Sequence, residues 1–251
     1  MKSRIAIYTA VIGDYDRLPA HKVIFPEADY YCFVGKGEKQ MESFGPWKVL
    51  EADVDERTPK LVSAYIKTHP HVLLPGYDYT LWVDANIGIV QSGLFGVIQE
   101  KMASGIALSG MRHPETDCAY EEAVRVVHKG KERIWKVLRL IRFLRRSAFP
   151  KHDGLFETGV LLRRCDASVR SFDENWWRLI KGISCRDQLS FPYCMRQAGF
   201  EWDTLIPAGA DVRNHPFFAY RQHAASPPRR SFLYRKSRGP ILALIRWYAE
   251  H

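Results

Sequence analysis

Thr80–Val83 is an apolar, strand-like run that stops at Asp84-Ala85-Asn86. Residues i and i+2 of an extended segment point the same way, so Asp84 and Asn86 could offer two oxygens to one ligand. Hard divalent cations such as Mg²⁺ prefer oxygen donors and take their remaining ligands from water and substrate phosphates. A carboxylate and an amide at a strand end therefore suit a metal–diphosphate complex, although the same residue types also suit an ordinary turn. Upstream, Lys60 and Lys67 fall on one face of a helix that opens near Pro59. Cations there would offset the charge of such a diphosphate. Arg112 and His113 close another apolar run, where the imidazole could orient a hydroxyl. Glu157 precedes a further run, where a carboxylate could accept a proton. Arg186, Asp187 and Gln188 stand at a predicted helix start, a position where an acidic residue also serves as a cap.

These groups need a frame, and the pattern supplies one. Strand-like runs at Ile5–Ile12, Tyr30–Val34, Trp47–Leu50, Thr80–Val83, Ile106–Met111 and Gly159–Leu162 alternate with helical patterns. The helices fall at Leu94–Ala103, Tyr120–His128, Asn175–Lys181 and Asp187–Gln197. Such alternation implies a Rossmann-like α/β sandwich with a mostly parallel central sheet. Ligands in these sheets bind at the carboxyl ends of strands, which is where Asp84, Asn86 and Asp16 fall. The 251 residues are 46% hydrophobic, enough for a full core and too apolar for general disorder. The expected organisation is one domain over residues 1–225 and a basic tail over 226–251.

Five cysteines without a C-x-x-C pair argue against a disulfide framework or a zinc ribbon, and suit reduced thiols in the cytoplasm. No H-E-x-x-H is present, and His69 and His71 are read as pointing apart, so no zinc site is predicted. Dinucleotide, P-loop and serine-hydrolase motifs are absent. No apolar run approaches the roughly 18 residues of a membrane span.

Several blocks occur in order: YTAVIGDYD (8–16), YCFVG (31–35), KTHPHVLLPGYDYTLWVDANIGI (67–89), HPETDCAYEEA (113–123) and NWWRLIKGISCRDQLSFPY (175–193). Together they resemble the glycosyltransferase-like domain family of plant mucilage and cell-wall proteins and of bacterial polysaccharide clusters. The resemblance implies a GT-A type fold, a nucleotide-sugar donor, and a saccharide or lipid-linked acceptor. It places Tyr8, Thr9, Ala10 and Asp16 beside the base and ribose, with Tyr8 stacking and Thr9 hydrogen-bonding. It favours Asp187, in its compact block, as a grip on the donor sugar or as a general base. It implies a divalent cation, Mg²⁺ or Mn²⁺, at Asp84 and Asn86, with His215 completing the shell by analogy. The motif here is D-A-N, and a neutral amide binds cations more weakly than a carboxylate. Basic side chains are therefore the alternative means of neutralising the diphosphate. Of the adjacent Trp176 and Trp177, one is expected in the core and the other along a sugar subsite.

The net charge of +9 points to an anionic partner without choosing one. Cations at 133, 136, 139, 142 and 145 recur every three residues and are read as spiralling around a helix. The tail sets Arg229, Arg230, Arg235, Lys236 and Arg238 before PILALIRWY, a composition suited to an anionic membrane interface. A cytoplasmic enzyme, peripheral at the inner membrane face, fits both features. A non-enzymatic basic module for nucleic acid or anionic lipid would account for the charge alone, but no nucleic-acid motif is present.

Overall fold

The computed structural model describes residues 3–13, 18, 21–184 and 186–222, together with 239, 243, 245 and 247. Asp16, Cys185 and the basic residues of the tail lie outside the described residues. In chain order the elements are β1 (Ile5–Val11), β2 (Ala28–Val34), β3 (Ser43–Phe44), β4 (Trp47–Glu51), α1 (Pro59–Thr68), α2 (Pro70–Leu73), β5 (Tyr79–Val83) and β6 (Ile87–Ile89). There follow α3 (Gly93–Ala103), β7 (Leu108–Arg112), α4 (Ala119–His128), α5 (Ile134–Arg146), β8 (Phe156–Arg164), α6 (Ala167–Gly182), α7 (Asp187–Ala198), β9 (Asp203–Thr204) and β10 (Phe218–Tyr220).

The large sheet runs β3-β4-β2-β1-β5-β8-β7-β9. Strands β4, β2, β1 and β5 are parallel, and β8 is antiparallel to both of its neighbours. This is the expected α/β sandwich with a mostly parallel sheet. The central strands are apolar on both sides because both faces are covered. Ile5, Ile7, Leu81, Val83, Val160 and Leu162 pack with Phe95 and Ile98 of α3. The alternate residues Ala6, Tyr8, Trp82 and Leu161 pack with Ile66 of α1, Phe172 and Trp176 of α6, and Phe191 of α7.

Two departures from the sequence pattern bear on the site. Helix α6 begins at Ala167, upstream of the expected Asn175, because Asp166 caps it by accepting Val169 N–H at 2.9 Å. Pro70 opens α2 instead of ending the helical region, so His69 and His71 do not diverge. Both turn Nε2 towards Glu174 Oε1, at 3.8 and 3.0 Å.

Helix α5 is also better sided than a three-residue charge spacing suggests. Val137, Leu140, Ile141 and Leu144 are buried against α4, while Trp135, Arg139, Arg142 and Arg146 are exposed at i, i+4, i+7 and i+11. Ile245 of the tail is buried in this same cluster, and Trp247 is exposed. Among the described residues no helix is long and apolar enough to cross a membrane.

Candidate active site

Asp84 follows β5 directly, and its N–H donates to Gly159 O at 2.8 Å, tying the turn to β8. A Cβ on Gly159 would stand 3.3 Å from Asp84 Oδ2, so glycine is what lets the carboxylate lie against that strand. The β7–β8 pairing shifts register between Ser109 and Met111, opposite the stretch that carries Glu157 and Thr158. Such irregularities re-aim side chains beside active sites.

Lys67 occupies the last turn of α1. Helical side chains lean towards the helix N-terminus, so its ammonium is carried back towards the carboxyl end of the sheet. There Lys67 Nζ meets Asp187 Oδ2 at 2.6 Å and Asp84 Oδ1 at 3.3 Å. Asp187 opens α7, and its Oδ2 also accepts Thr158 Oγ1 at 2.8 Å. Its backbone oxygen accepts Trp176 Nε1 at 2.9 Å, which explains why that tryptophan is fully buried. Asp84 Oδ1 accepts Trp82 Nε1 at 2.7 Å.

Each carboxylate thus has one oxygen anchored. Asp84 Oδ2 and Asp187 Oδ1 accept no hydrogen bond among the described residues. One ammonium serves two carboxylates, leaving a net negative charge. Burial works to raise the Asp187 pKa, but the Lys67 ammonium and the Thr158 hydroxyl hold it well below the usual carboxylate range. Burial raises Asp84, and its own contact with Lys67 does not cancel that. Burial works to lower Lys67, but Asp187 and Asp84 together keep it raised and charged.

Glu157 lies close enough to feel the charge of Asp84, and burial raises its pKa. Its Oε1 accepts Arg213 Nη1 at 2.8 Å, while Oε2 is buried without a partner among the described residues. Arg213 also contacts Asp211 Oδ2 at 3.1 Å. Gln188 Nε2 is likewise buried and unpartnered among the described residues. Arg186 is half-buried and donates Nε to Lys131 O at 3.3 Å.

The fold brings together Asp84, Lys67 and Asp187, with Glu157 nearby. Other expected site residues lie differently. Tyr8 is fully buried, donates its hydroxyl to Lys67 O at 2.7 Å and sits beside the Arg163 guanidinium, so its ring has no face open to a base. Thr9 and Ala10 are buried on the same strand. Lys60 is exposed at the opposite end of α1 from Lys67, near Glu132. His113 is held neutral by burial, its pKa lowered to about 4. Its Nδ1 accepts the N–H groups of Glu115 and Thr116, each at 3.2 Å, and its Nε2 faces Glu122 at 3.6 Å. Asn86 donates its amide to Arg221 O at 3.0 Å, and His215 Nδ1 accepts Phe217 N–H at 3.3 Å. Trp177, beside buried Trp176, lines a surface groove of about 450 Å³ with Glu174, Arg178 and Lys181.

Sequence reasoning missed Arg213 and the buried Arg163. Arg163 pairs with Asp173 and bonds Lys67 O at 2.5 Å, fixing the backbone from which the ammonium extends. An arginine ending the apolar run Val160–Leu162 reads as a strand reaching solvent, so no local signal marks it.

The TOD1/MUCI70 glycosyltransferase-like domain family matches residues 2–207. The chain belongs to that family. The family is described as a glycosyltransferase-like domain, and such a domain implies a sugar donor and an acceptor in general terms. The resemblance drawn from the ordered sequence blocks holds. Among solved structures, the apo structure of the WbbM bifunctional glycosyltransferase is similar at 10% identity and a TM-score of 0.45. The match covers 82% of this chain and 39% of that one, so the domain spans about two fifths of the WbbM chain. No match arises among curated proteins. The family match ends at residue 207, so Arg213 and β10 lie beyond it.

Proposed function

We propose that the domain moves a sugar from a nucleotide-diphosphate sugar to a saccharide or lipid-linked acceptor, in the synthesis of surface polysaccharide. The observation that carries this reading is the Lys67-bridged pair of carboxylates, Asp84 and Asp187, at the carboxyl end of β5. Ligands in open α/β sheets bind at that end. Two carboxylates with one open oxygen each are the donor set that Mg²⁺ or Mn²⁺ takes alongside substrate phosphates. Asp84 and Asp187 would hold such a cation, and bound there it would offset the charge of the departing diphosphate. Lys67 holds the two acids close and offsets their mutual repulsion.

Asp187, held far below neutrality, is a poor proton acceptor and serves as a grip. Glu157, raised by burial, is the better base for the acceptor hydroxyl. Gln188 Nε2 has a donor to spare for the donor sugar. Trp177 lines a surface groove that would serve as the saccharide subsite. Catalysis would come mainly from aligning the two sugars and stabilising the leaving group. The exposed face of α5, with Trp135 and three arginines, supports a peripheral position on the anionic inner face of a membrane.

The test is a donor-hydrolysis and transfer screen over common nucleotide sugars, with Mn²⁺, with Mg²⁺ and with a chelator. Turnover of at least one donor is expected, lost on chelation and restored by either cation. A folded Asp84→Ala variant with full activity would overturn the assignment. Salt-sensitive heat with oligonucleotides and none with any nucleotide sugar would favour a basic binding module instead.

A further inference from the structure

A second cluster of metal-ligating side chains lies where the turn before α4 meets the loop between α5 and β8. Cys118 Sγ, a Glu121 carboxylate oxygen and a His152 ring nitrogen all lie within 4.8 Å of one another, the sole such trio of His, Cys, Asp or Glu among the described residues. Cys118 is buried at 1% exposure, while Glu121 and His152 face solvent. Asp117 Oδ1 holds His152 Nδ1 at 2.6 Å, and Thr116 Oγ1 donates to Glu121 Oε2 at 2.6 Å. The two segments are pinned by backbone bonds, Gly154 N–H to Asp117 O at 3.0 Å and His113 N–H to Leu155 O at 2.8 Å. His152 adopts φ +56°, a left-handed conformation uncommon for a residue with a Cβ. The ion pair with Asp117 alone would account for the histidine, but not for a buried thiol and a fixed carboxylate converging on the same ring.

We propose that Cys118, Glu121 and His152 form a transition-metal site, separate from the carboxylate pair, that takes Zn²⁺. Sulfur, imidazole nitrogen and one carboxylate oxygen are the mixed donors of tetrahedral Zn²⁺, with water in the fourth position. Mg²⁺ and Mn²⁺, which prefer all-oxygen surroundings, are poor fits. His152 coordinates through Nε2, and Asp117 on Nδ1 fixes the ring and raises its basicity. Binding releases the Cys118 thiol proton to solvent. The two exposed ligands give the ion a route in, and the buried thiol gives it selectivity. The ion would fasten the start of α4 to the loop that leads into β8, the strand carrying Glu157 and Thr158.

The chelator-stripped, reduced full chain is titrated with Zn²⁺ against a chromophoric chelator, and with Co²⁺ by absorption. The wild type should take up one equivalent of Zn²⁺. Its Co²⁺ form should show a thiolate charge-transfer band in the near ultraviolet and the strong visible bands of tetrahedral cobalt. Cys118→Ser should abolish the charge-transfer band. His152→Gly suits the left-handed backbone and so leaves the fold intact; it should weaken Zn²⁺ binding at least tenfold. Asp84→Asn should change neither result, which separates this site from the transferase reading. No stoichiometric Zn²⁺ on the wild type, or undiminished binding in folded His152→Gly, overturns the proposal.

Discussion

Burial pushes Asp84 towards its neutral form, and a single ammonium is shared between it and Asp187. A carboxyl whose native pKa is raised destabilises the fold at any pH above that native value. Asp84→Asn keeps an acceptor for Trp82 and removes the charge. It should raise the melting temperature at neutral pH, and only modestly, because the Asp84 side chain is 37% exposed and solvent screens its charge. The gain should vanish below about pH 4, where the wild-type residue is protonated in both states. Transfer should fall at least a hundredfold in the same variant, so thermal melts and activity move in opposite directions. Glu157 is also raised, and a base must be deprotonated to act. kcat/KM should therefore rise with pH through a value above the ordinary glutamate pKa of about 4.3, and Glu157→Gln should lose that limb along with most activity. At this scale the sequence singled out Asp84, Asp187 and Lys67, which the fold brings into contact, because strand-end acids and helix-face cations leave a pattern. It misassigned Tyr8 to a base platform, because whether a strand-end ring meets solvent depends on Arg163 and α1, which pack over it from far along the chain.

Strand β8 and helix α6 are joined by Arg163 and Asp173, exposed by 0% and 2% at their side chains. Breaking a buried pair by removing one partner leaves an uncompensated charge and costs about 3–5 kcal/mol. Asp173→Ala should lose that much in urea unfolding and loosen the backbone that carries Lys67. Helix α5 makes a different prediction. Replacing Arg139, Arg142 and Arg146 together with Ser leaves Val137, Leu140, Ile141 and Leu144 in place. Stability should hold, while sedimentation with vesicles rich in anionic lipid should fall sharply. Most strands and helices were legible because apolar runs and periodic faces are local. The α6 start was not, since it depends on the Asp166 cap, and the sidedness of α5 was obscured by counting charges at one spacing.

At the scale of the whole molecule, four parallel strands with covered faces followed from the alternation of patterns, whereas the antiparallel β8 did not. Its direction is set by how far the chain travels through α4 and α5 before returning, and no local pattern encodes that. The pairing of β10 with β6 was equally hidden, because Phe218–Tyr220 is short and pairs with a strand far away in the chain. This small clasp carries a practical consequence. The Asn86 amide reaches Arg221 O across 135 positions, and Glu157 depends on Arg213, so both are completed by residues beyond the span the family shares. A polypeptide cut at residue 207 would retain the eight strands of the large sheet and melt cooperatively, yet turn over no donor. During synthesis the mouth of the proposed site would thus stay unfinished until its closing latch had left the ribosome.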